Sequence, residues 1–290
     1  MGHRQQRTIS RPAVIRGRGL FGGAAVTMEL LPAPEFHGVA FQRVDLPDRI
    51  RIPARIEFVA RQPRRTVLTR LGARIEVVEH ILAALAGLQV DNCLVRLDAP
   101  ECPNGDGSAR VFVDAIQDAG IVEQTAAMPR IAMRHRVVIT HDDRCPALTV
   151  GPADSDRLTI TYDLNYPGAA ISPQIRTYEL SPDSFVRDIA PARTFVFESE
   201  VKALRAQGLG LTTTAQDLLV FDAHGAPIDN KLRVDDECVR HKILDCIGDF
   251  ALAAAELSGN IHCRQSGHHH NHEALRRIME KCTVSRSRAA

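Results

Sequence analysis

His241, Asp245 and Asp249 recur at every fourth position in the stretch DDECVRHKILDCIGD, residues 235–249. On a helix this spacing stacks three side chains on one face, one turn apart. Asp235, Asp236 and Glu237 suit the positive end of such a helix. Val239, Ile243, Leu244, Ile247 and Phe250 on the flanking faces must be buried, and small Gly248 lies beside the polar line. A histidine and a carboxylate one turn apart can both reach one divalent metal. The plainer reading of this helix alone is a solvated polar stripe with one satisfied histidine, because such pairs are common.

A helix pair leaves a metal short of a ligand. His80 is the best third candidate, since Ala83, Ala84 and Gly87 follow on its side of a second helix and let another element come close. Two histidines and one aspartate with an open position is the donor set of a catalytic zinc site rather than a structural one. It can bring bound water toward a pKa of about 7. Glu79 points about 100° away from His80 around the helix. It therefore suits a general base better than a ligand. Lys242 offers a positive charge beside His241, or is a surface lysine. The run SGHHHNH, residues 266–272, holds four histidines, which could bind metal adventitiously, or one of which, on a loop loosened by glycine, could donate a proton. Asp249 would suit as its partner, since a carboxylate favours the protonated imidazole. Thr194, in a loop preceded by proline, could hydrogen-bond a developing oxyanion.

The elements that must position these groups follow from pattern. Short alternating runs at 13–16, 25–31, 39–44, 56–59, 64–68 and 74–77 read as strands. Residues 79–87 form a helix with a glycine stop, 92–97 a strand, 99–108 a turn-rich loop, 109–119 a helix, and 123–129 a linker. The second half repeats the theme, with strands at 131–140, 147–151, 157–164 and 176–180. A helix at 197–207, a strand at 218–222, the long helix 236–257, a strand at 261–264 and a helix at 271–281 follow. The last eight residues read as a frayed tail. The expected fold is α+β: two similar domains, each a mainly antiparallel sheet with helices on one face, packed with the site between them. The expected boundaries are 1–127, which supplies Glu79 and His80, and 128–290, which supplies the rest.

Composition narrows the class. The 290 residues are 44% hydrophobic, enough for a large core. A formal net charge of +1 gives no nucleic-acid or anionic-membrane footprint. Seven cysteines without a CxxC pair argue against a disulfide framework or a thiolate zinc site. MGHRQQR has no apolar run behind it, so no secretory signal is expected, and no window approaches a membrane span. A reduced, cytoplasmic, soluble protein is the expectation.

Together the strings VEHILAALAGL (78–88) with Asp91 and Asn92, APECP (99–103) with DGSA (106–109), ARTF (192–195), residues 235–249 and SGH (266–268) run in one order along nearly the whole chain. In this the sequence resembles the UDP-3-O-acyl-N-acetylglucosamine deacetylases, zinc enzymes of lipid A biosynthesis. The resemblance implies zinc on His80, His241 and Asp245, with Glu79 as base and His268 as acid, supported by Asp249. It implies that Thr194 and Lys242 steady the intermediate and substrate, and that Phe195 contacts substrate. Residues 197–221 would form an apolar passage for the acyl chain, lined by Phe197, Val201, Leu204 and Gly210. The implied partner is a UDP-linked acylated glucosamine, met by a monomer without nucleic acid or stable membrane insertion. Iron(II) also suits two histidines and a carboxylate.

Three stretches depart from the family's usual pattern. Leu20-Phe-Gly-Gly23 replaces Leu-His-Thr/Ser-Gly, Thr212-Thr-Thr214 replaces Gly-Gly-Ser, and Asn104 opens a loop that usually begins Ile-Met-Asp. The first two motivate a rival, a deacetylase acting on a different acylated amino sugar. A non-catalytic binding paralogue is a second rival, but binding alone needs no acid/base pair.

Overall fold

The computed structural model describes residues 4–141, 146–166 and 171–287, without the side chains of 146 and 282–287. The first half runs β1 (Gln5–Ile9), β2 (Ala13–Arg18), β3 (Ala25–Pro32), β4 (Val39–Arg43), β5 (Arg51–Pro53), β6 (Val59–Ala60), β7 (Val67–Arg70) and β8 (Ala73–Glu76). Helix α1 (Glu79–Gly87), β9 (Cys93–Leu97), α2 (Arg110–Ala119) and β10 (Ile121–Ala127) follow. The second half runs β11 (Arg130–Ala132), β12 (Val137–Thr140), β13 (Pro146–Gly151), β14 (Leu158–Leu164) and β15 (Gln174–Glu179). A short turn, α3 (Pro182–Ser184), leads to β16 (Phe195–Phe197), α4 (Glu198–Ala206), β17 (Leu219–Phe221), α5 (Glu237–Phe250), β18 (Glu256–Arg264) and α6 (His268–Ser287).

The same sheet is built twice. Strand order is β2-β3-β9-β4-β5 in the first half and β12-β13-β18-β14-β15 in the second, with β11 added against β18. In each, the central strand comes last, after a helix that precedes it and before one that follows it. Only β4 with β9, and β14 and β11 with β18, pair in parallel in these sheets. The alternation that suggested strands also sets the faces: Leu158, Ile160, Tyr162 and Leu164 of β14 point into the core, as do Val26, Met28 and Leu30 of β3.

Helices α1 and α5 are buried almost all round, which marks central elements. They cross backbone to side face at Gly248, where a Cβ would stand 2.0 Å from the carbonyl oxygen of Glu79. At the far end of α1, a Cβ on Gly87 would stand 2.4 Å from the Phe185 ring. Glycine is required at both by close approach.

Several elements differ from the sequence expectation. Residues 123–129 are not a linker: β10 pairs antiparallel with β1, a strand the local pattern did not reveal. The long helix ends at Phe250, because Ala254 takes a left-handed φ of +50° and the chain is then drawn into β18, nine residues long. Residues 56–58 form a 3-10 turn, and 131–140 splits into β11 and β12 as Met133 bonds back to Ser258. Strand β5 was not foreseen, and α6 continues through Ser287, into the stretch expected to fray. Five cysteines are buried and unlinked, and the side chains of Cys145 and Cys282 lie outside the described residues. Among the described residues no helix is long and apolar enough to cross a membrane.

Replacing Gly248 by alanine should cost on the order of 3 kcal/mol of stability by overpacking the crossing. Gly151→Ala, where a Cβ meets open space, is the control and should lie within about 1 kcal/mol of wild type. Urea denaturation of both variants measures the difference.

Candidate active site

The α1–α5 crossing brings three ligand atoms together. One atom each from His80, His241 and Asp245 lie within 4.8 Å of one another, and all three residues are buried. His241 Nε2 stands 3.3 Å and His80 Nε2 3.8 Å from Asp245 Oδ1. The two rings meet edge to face, with centroids 5.0 Å apart. His241 Nδ1–H donates to the Ala192 carbonyl at 3.0 Å. That bond fixes the tautomer and leaves the Nε2 lone pair facing His80 and Asp245. Lys242 Nζ donates to Asp245 Oδ2 at 2.7 Å, so Oδ1 is the oxygen turned to the imidazoles.

Burial, reinforced by His241, pushes the pKa of His80 down to about 3. Burial lowers that of His241 as well. For Asp245 burial acts upward, but Lys242, His241, His268 and His80 outweigh it and hold the carboxyl below its usual range. Two neutral imidazoles and an ionised carboxylate converging in a buried corner are the protonation states a divalent cation needs. The residues fit such an ion.

The acid/base candidates lie across the same corner. Glu79, on the first turn of α1, is pushed up to about 7, mainly by burial and further by Asp249 and Asp245, with His268 opposing. Its Oε1 stands 3.7 Å from His268 Nε2. His268 Nδ1–H donates to Asp249 Oδ2 at 2.8 Å. Burial works against a charge on His268, yet Asp249, Glu79 and Asp245 raise its pKa to about 9. Asp249 is fully buried, and burial pushes its carboxyl up, but the two histidines it contacts, His268 and His272, hold it below the usual range.

A cavity of about 960 Å³ opens from this corner. Glu79, His80, His241, Lys242, Asp245 and His268 line it, together with Thr194, Phe195, Phe197, Val201, Leu204 and Gly210. Asp249 lies behind His268. The apolar part is built by β16 and β17, which pair in parallel, and by α4 packed beside them. The phenyl rings of Phe195, Phe197 and Phe221 contact one another there, at 6.1 to 6.5 Å between centroids. The departures Phe21 and Thr212-Thr-Thr214 meet at this cavity. Gly210 N–H donates to the Phe21 carbonyl at 2.8 Å, and Thr213 Oγ1 donates to that of Leu20 at 2.6 Å. Phe21 lies under the Arg65 guanidinium, 4.3 Å from ring centroid, and its N–H donates to buried Glu101 at 2.7 Å.

Supports that no spacing rule exposed hold these groups. Arg193 grips Glu237, the first residue of α5, through Nε at 2.7 Å and Nη2 at 3.0 Å, with both side chains buried. This fixes the 192–194 loop, so the Ala192 carbonyl meets His241. Thr194 N–H in turn donates to Gly107 at 2.8 Å, which ties Thr194 to the loop after Asn104. Thr66, Asn271 and His272 all bond to Asp249. The ARTF and SGH strings marked two of these neighbourhoods, but nothing local marked Thr66.

A family model described as UDP-3-O-acyl N-acetylglycosamine deacetylase matches residues 6–280. The chain is 40% identical over 274 residues to the UDP-3-O-acyl-N-acetylglucosamine deacetylase of Myxococcus xanthus, covering 94% of this chain and 86% of that one. It is 39% identical over 277 residues to the enzyme of that name from Hahella chejuensis, covering 96% and 91%. The corresponding enzyme of Stenotrophomonas maltophilia is 38% identical over 280 residues, covering 97% and 92%.

The three-residue corner predicts one tightly held divalent cation per chain. Elemental analysis of protein purified without chelator should give about one equivalent for wild type. Asp245→Ala should weaken retention, and a variant lacking both imidazoles, His80→Ala with His241→Ala, should hold essentially none.

Proposed function

The chain belongs to the UDP-3-O-acyl N-acetylglycosamine deacetylase family, and from that premise we propose that it hydrolyses the N-acetyl group of a UDP-linked, 3-O-acylated N-acetylglucosamine, a step toward lipid A. The observation that carries the reading is one cavity holding a metal-fitting triad of two neutral imidazoles and an ionised carboxylate, beside a base-strength carboxylate and a protonated imidazole. Zinc is the proposed ion, since two histidines and a carboxylate with open positions suit it, and iron(II) accepts the same donors. Residues 1–127 and 128–290 act as two domains, the first giving Glu79 and His80, the second His241, Asp245 and His268. One chain carries every group, so the mechanism needs no second copy.

A cation held by His80, His241 and Asp245 supplies Lewis acidity, which polarises an amide carbonyl and acidifies water. Glu79 takes a proton from the attacking water. A carboxyl with a pKa near 7 is a far stronger base than an exposed glutamate, yet is ionised in useful amount at neutral pH. The water oxygen adds to the acetyl carbon, and the oxyanion is met by the Thr194 hydroxyl and the Lys242 ammonium. As the carbon–nitrogen bond breaks, His268 Nε2–H delivers its proton to the nitrogen, giving acetate and the free amine. Asp249 holds Nδ1–H of that ring, so the donor is charged and aimed before substrate arrives. The apolar arm of the cavity, with Phe195, Phe197, Val201 and Leu204, receives the acyl chain, and Gly210 lies at the end held by the Leu20–Gly23 turn.

Acetate release from the metal-loaded protein tests the roles. Glu79→Ala and His268→Ala should each lose on the order of 10²–10⁴-fold in kcat, and undiminished rates in both would refute the assignment. His268 has a raised pKa, so it keeps its proton below about 9 and loses it as pH rises through that value. Activity should therefore fall on an alkaline limb near pH 9. Asp249→Asn should move that limb down toward the ordinary histidine value of about 6.5.

A further inference from the structure

We propose that Thr66 is a positioning residue that locks the base and the acid of this site into one register, an inference that rests on the deacetylase reading above. Thr66 is wholly buried and stands just before β7, whose first residue, Val67, pairs with Glu76 of β8. Two of its atoms reach two different catalytic groups. Its main-chain N–H donates to Glu79 Oε2 at 3.1 Å. Its hydroxyl donates to Asp249 Oδ1 at 2.5 Å. Its carbonyl accepts from Val78 N–H at 3.4 Å, so the residue also clasps the chain where α1 begins.

The backbone shows why that clasp matters. Val77, between β8 and α1, has a φ of +57°. A β-branched residue in the left-handed region carries roughly 1–2 kcal/mol of strain. The kink leads the chain from β8 into α1, and Thr66 holds its helix side while the next residue, Val67, pairs with Glu76 on its strand side.

The hydroxyl has one proton to give. An ionised carboxylate can only accept, so that proton goes to Asp249, and the hydroxyl oxygen remains free to accept from His272 Nε2–H at 3.0 Å. Oδ1 of Asp249 is thereby occupied by Thr66, with His272 Nε2 also 3.2 Å away. Oδ2 is left to Asn271 and His268, both at 2.8 Å. Without the hydroxyl, His272 Nε2–H can move fully onto Oδ1 and the carboxylate can rotate. The His268 ring would follow, and with it the Nε2 that faces Glu79. Thr66 touches neither substrate nor the proton-donating Nε2 of His268 in this scheme; it acts through Glu79, through Asp249 and on the Nδ1 side of His268, which lies 3.3 Å from its hydroxyl oxygen.

Thr66→Val removes the hydroxyl, keeps the N–H and preserves volume, whereas Thr66→Ser keeps both polar groups and loses the methyl. In the metal-loaded protein, Thr66→Val should lower kcat about 10- to 100-fold. KM should stay within about twofold, and Thr66→Ser should restore most of the rate. Nitrogen-15 imidazole spectra should show His268 losing its fixed Nδ1–H in Thr66→Val and keeping it in Thr66→Ser. A Thr66→Val enzyme with wild-type kcat and an unchanged His268 spectrum overturns the proposal. So does a Thr66→Ser enzyme as impaired as Thr66→Val, which would make methyl packing the cause. If Thr66→Val does not fold, Thr66→Cys, whose thiol is a weaker donor of similar size, carries the same expectation and the same refutation. A wild type without deacetylase activity would sink the functional reading instead, while the His268 spectra still report on the brace.

Discussion

The site depends on a helix crossing with no room for a methyl group. Gly248 lets the backbone of α5 lie against the carbonyl of Glu79, so the first turn of α1 meets the last turn of α5. Because Gly248 lies between Asp245 and Asp249, this one contact aligns two polar turns of α5 with Glu79 and His80 at once. The elements around the crossing serve it. In each half the buried helix leads in sequence into the central strand, α5 also packs on β14, and the Arg193–Glu237 pair fixes where α5 starts. A wider crossing would separate the imidazole of one helix from the carboxylate of the other.

Inside the buried site, neighbouring groups then differentiate chemically identical side chains. His80 and His268 are both buried, yet one is driven down to about 3 and the other up to about 9. Desolvation opposes charge on both. The difference is what each ring faces: His80 meets the His241 ring, whereas His268 is bonded to a fully buried carboxylate. The same contrast separates Glu79, pushed up to about 7, from Asp249, held low by the two histidines it contacts. A neutral imidazole, a protonated imidazole, a high-pKa carboxyl and an ionised carboxylate thus arise from like side chains whose distinction is their partners.

The parts legible in the sequence were those written into local spacing. The i, i+4 series on α5 and the small residues after His80 are local and correspond to the described structure; α1 ends at Gly87 as read, but the left-handed residue beyond it is Gln89, φ +59°, rather than the glycine. The misread stretches depend on distant chain. Strand β10 is a strand because residues 5–9 lie beside it, and α5 ends where it does because β18 is pulled between β13 and β14. Spacing could not choose among four histidines in residues 266–272; the resemblance did, and while His268, His269 and His270 all line the cavity, it is His268 that faces Glu79 and bonds Asp249, with His272 on the other oxygen of Asp249. Thr66 stayed invisible for the same reason. Its partner Asp249 is far along the chain, and a threonine at the start of a strand carries no periodic signal.

The Leu20–Gly23 turn and the Gly210–Thr213 loop were separate oddities in the linear chain, but they are hydrogen-bonded to each other over one end of the cavity. Thr212 fills the space where Gly23 would carry a Cβ, so even the side-chain size on one segment is set by the other. The two stretches therefore act as one wall. A side chain added at Gly23 would push directly on Thr212, and loss of the Thr213 hydroxyl would strip a partner from the Leu20 carbonyl on the opposite segment.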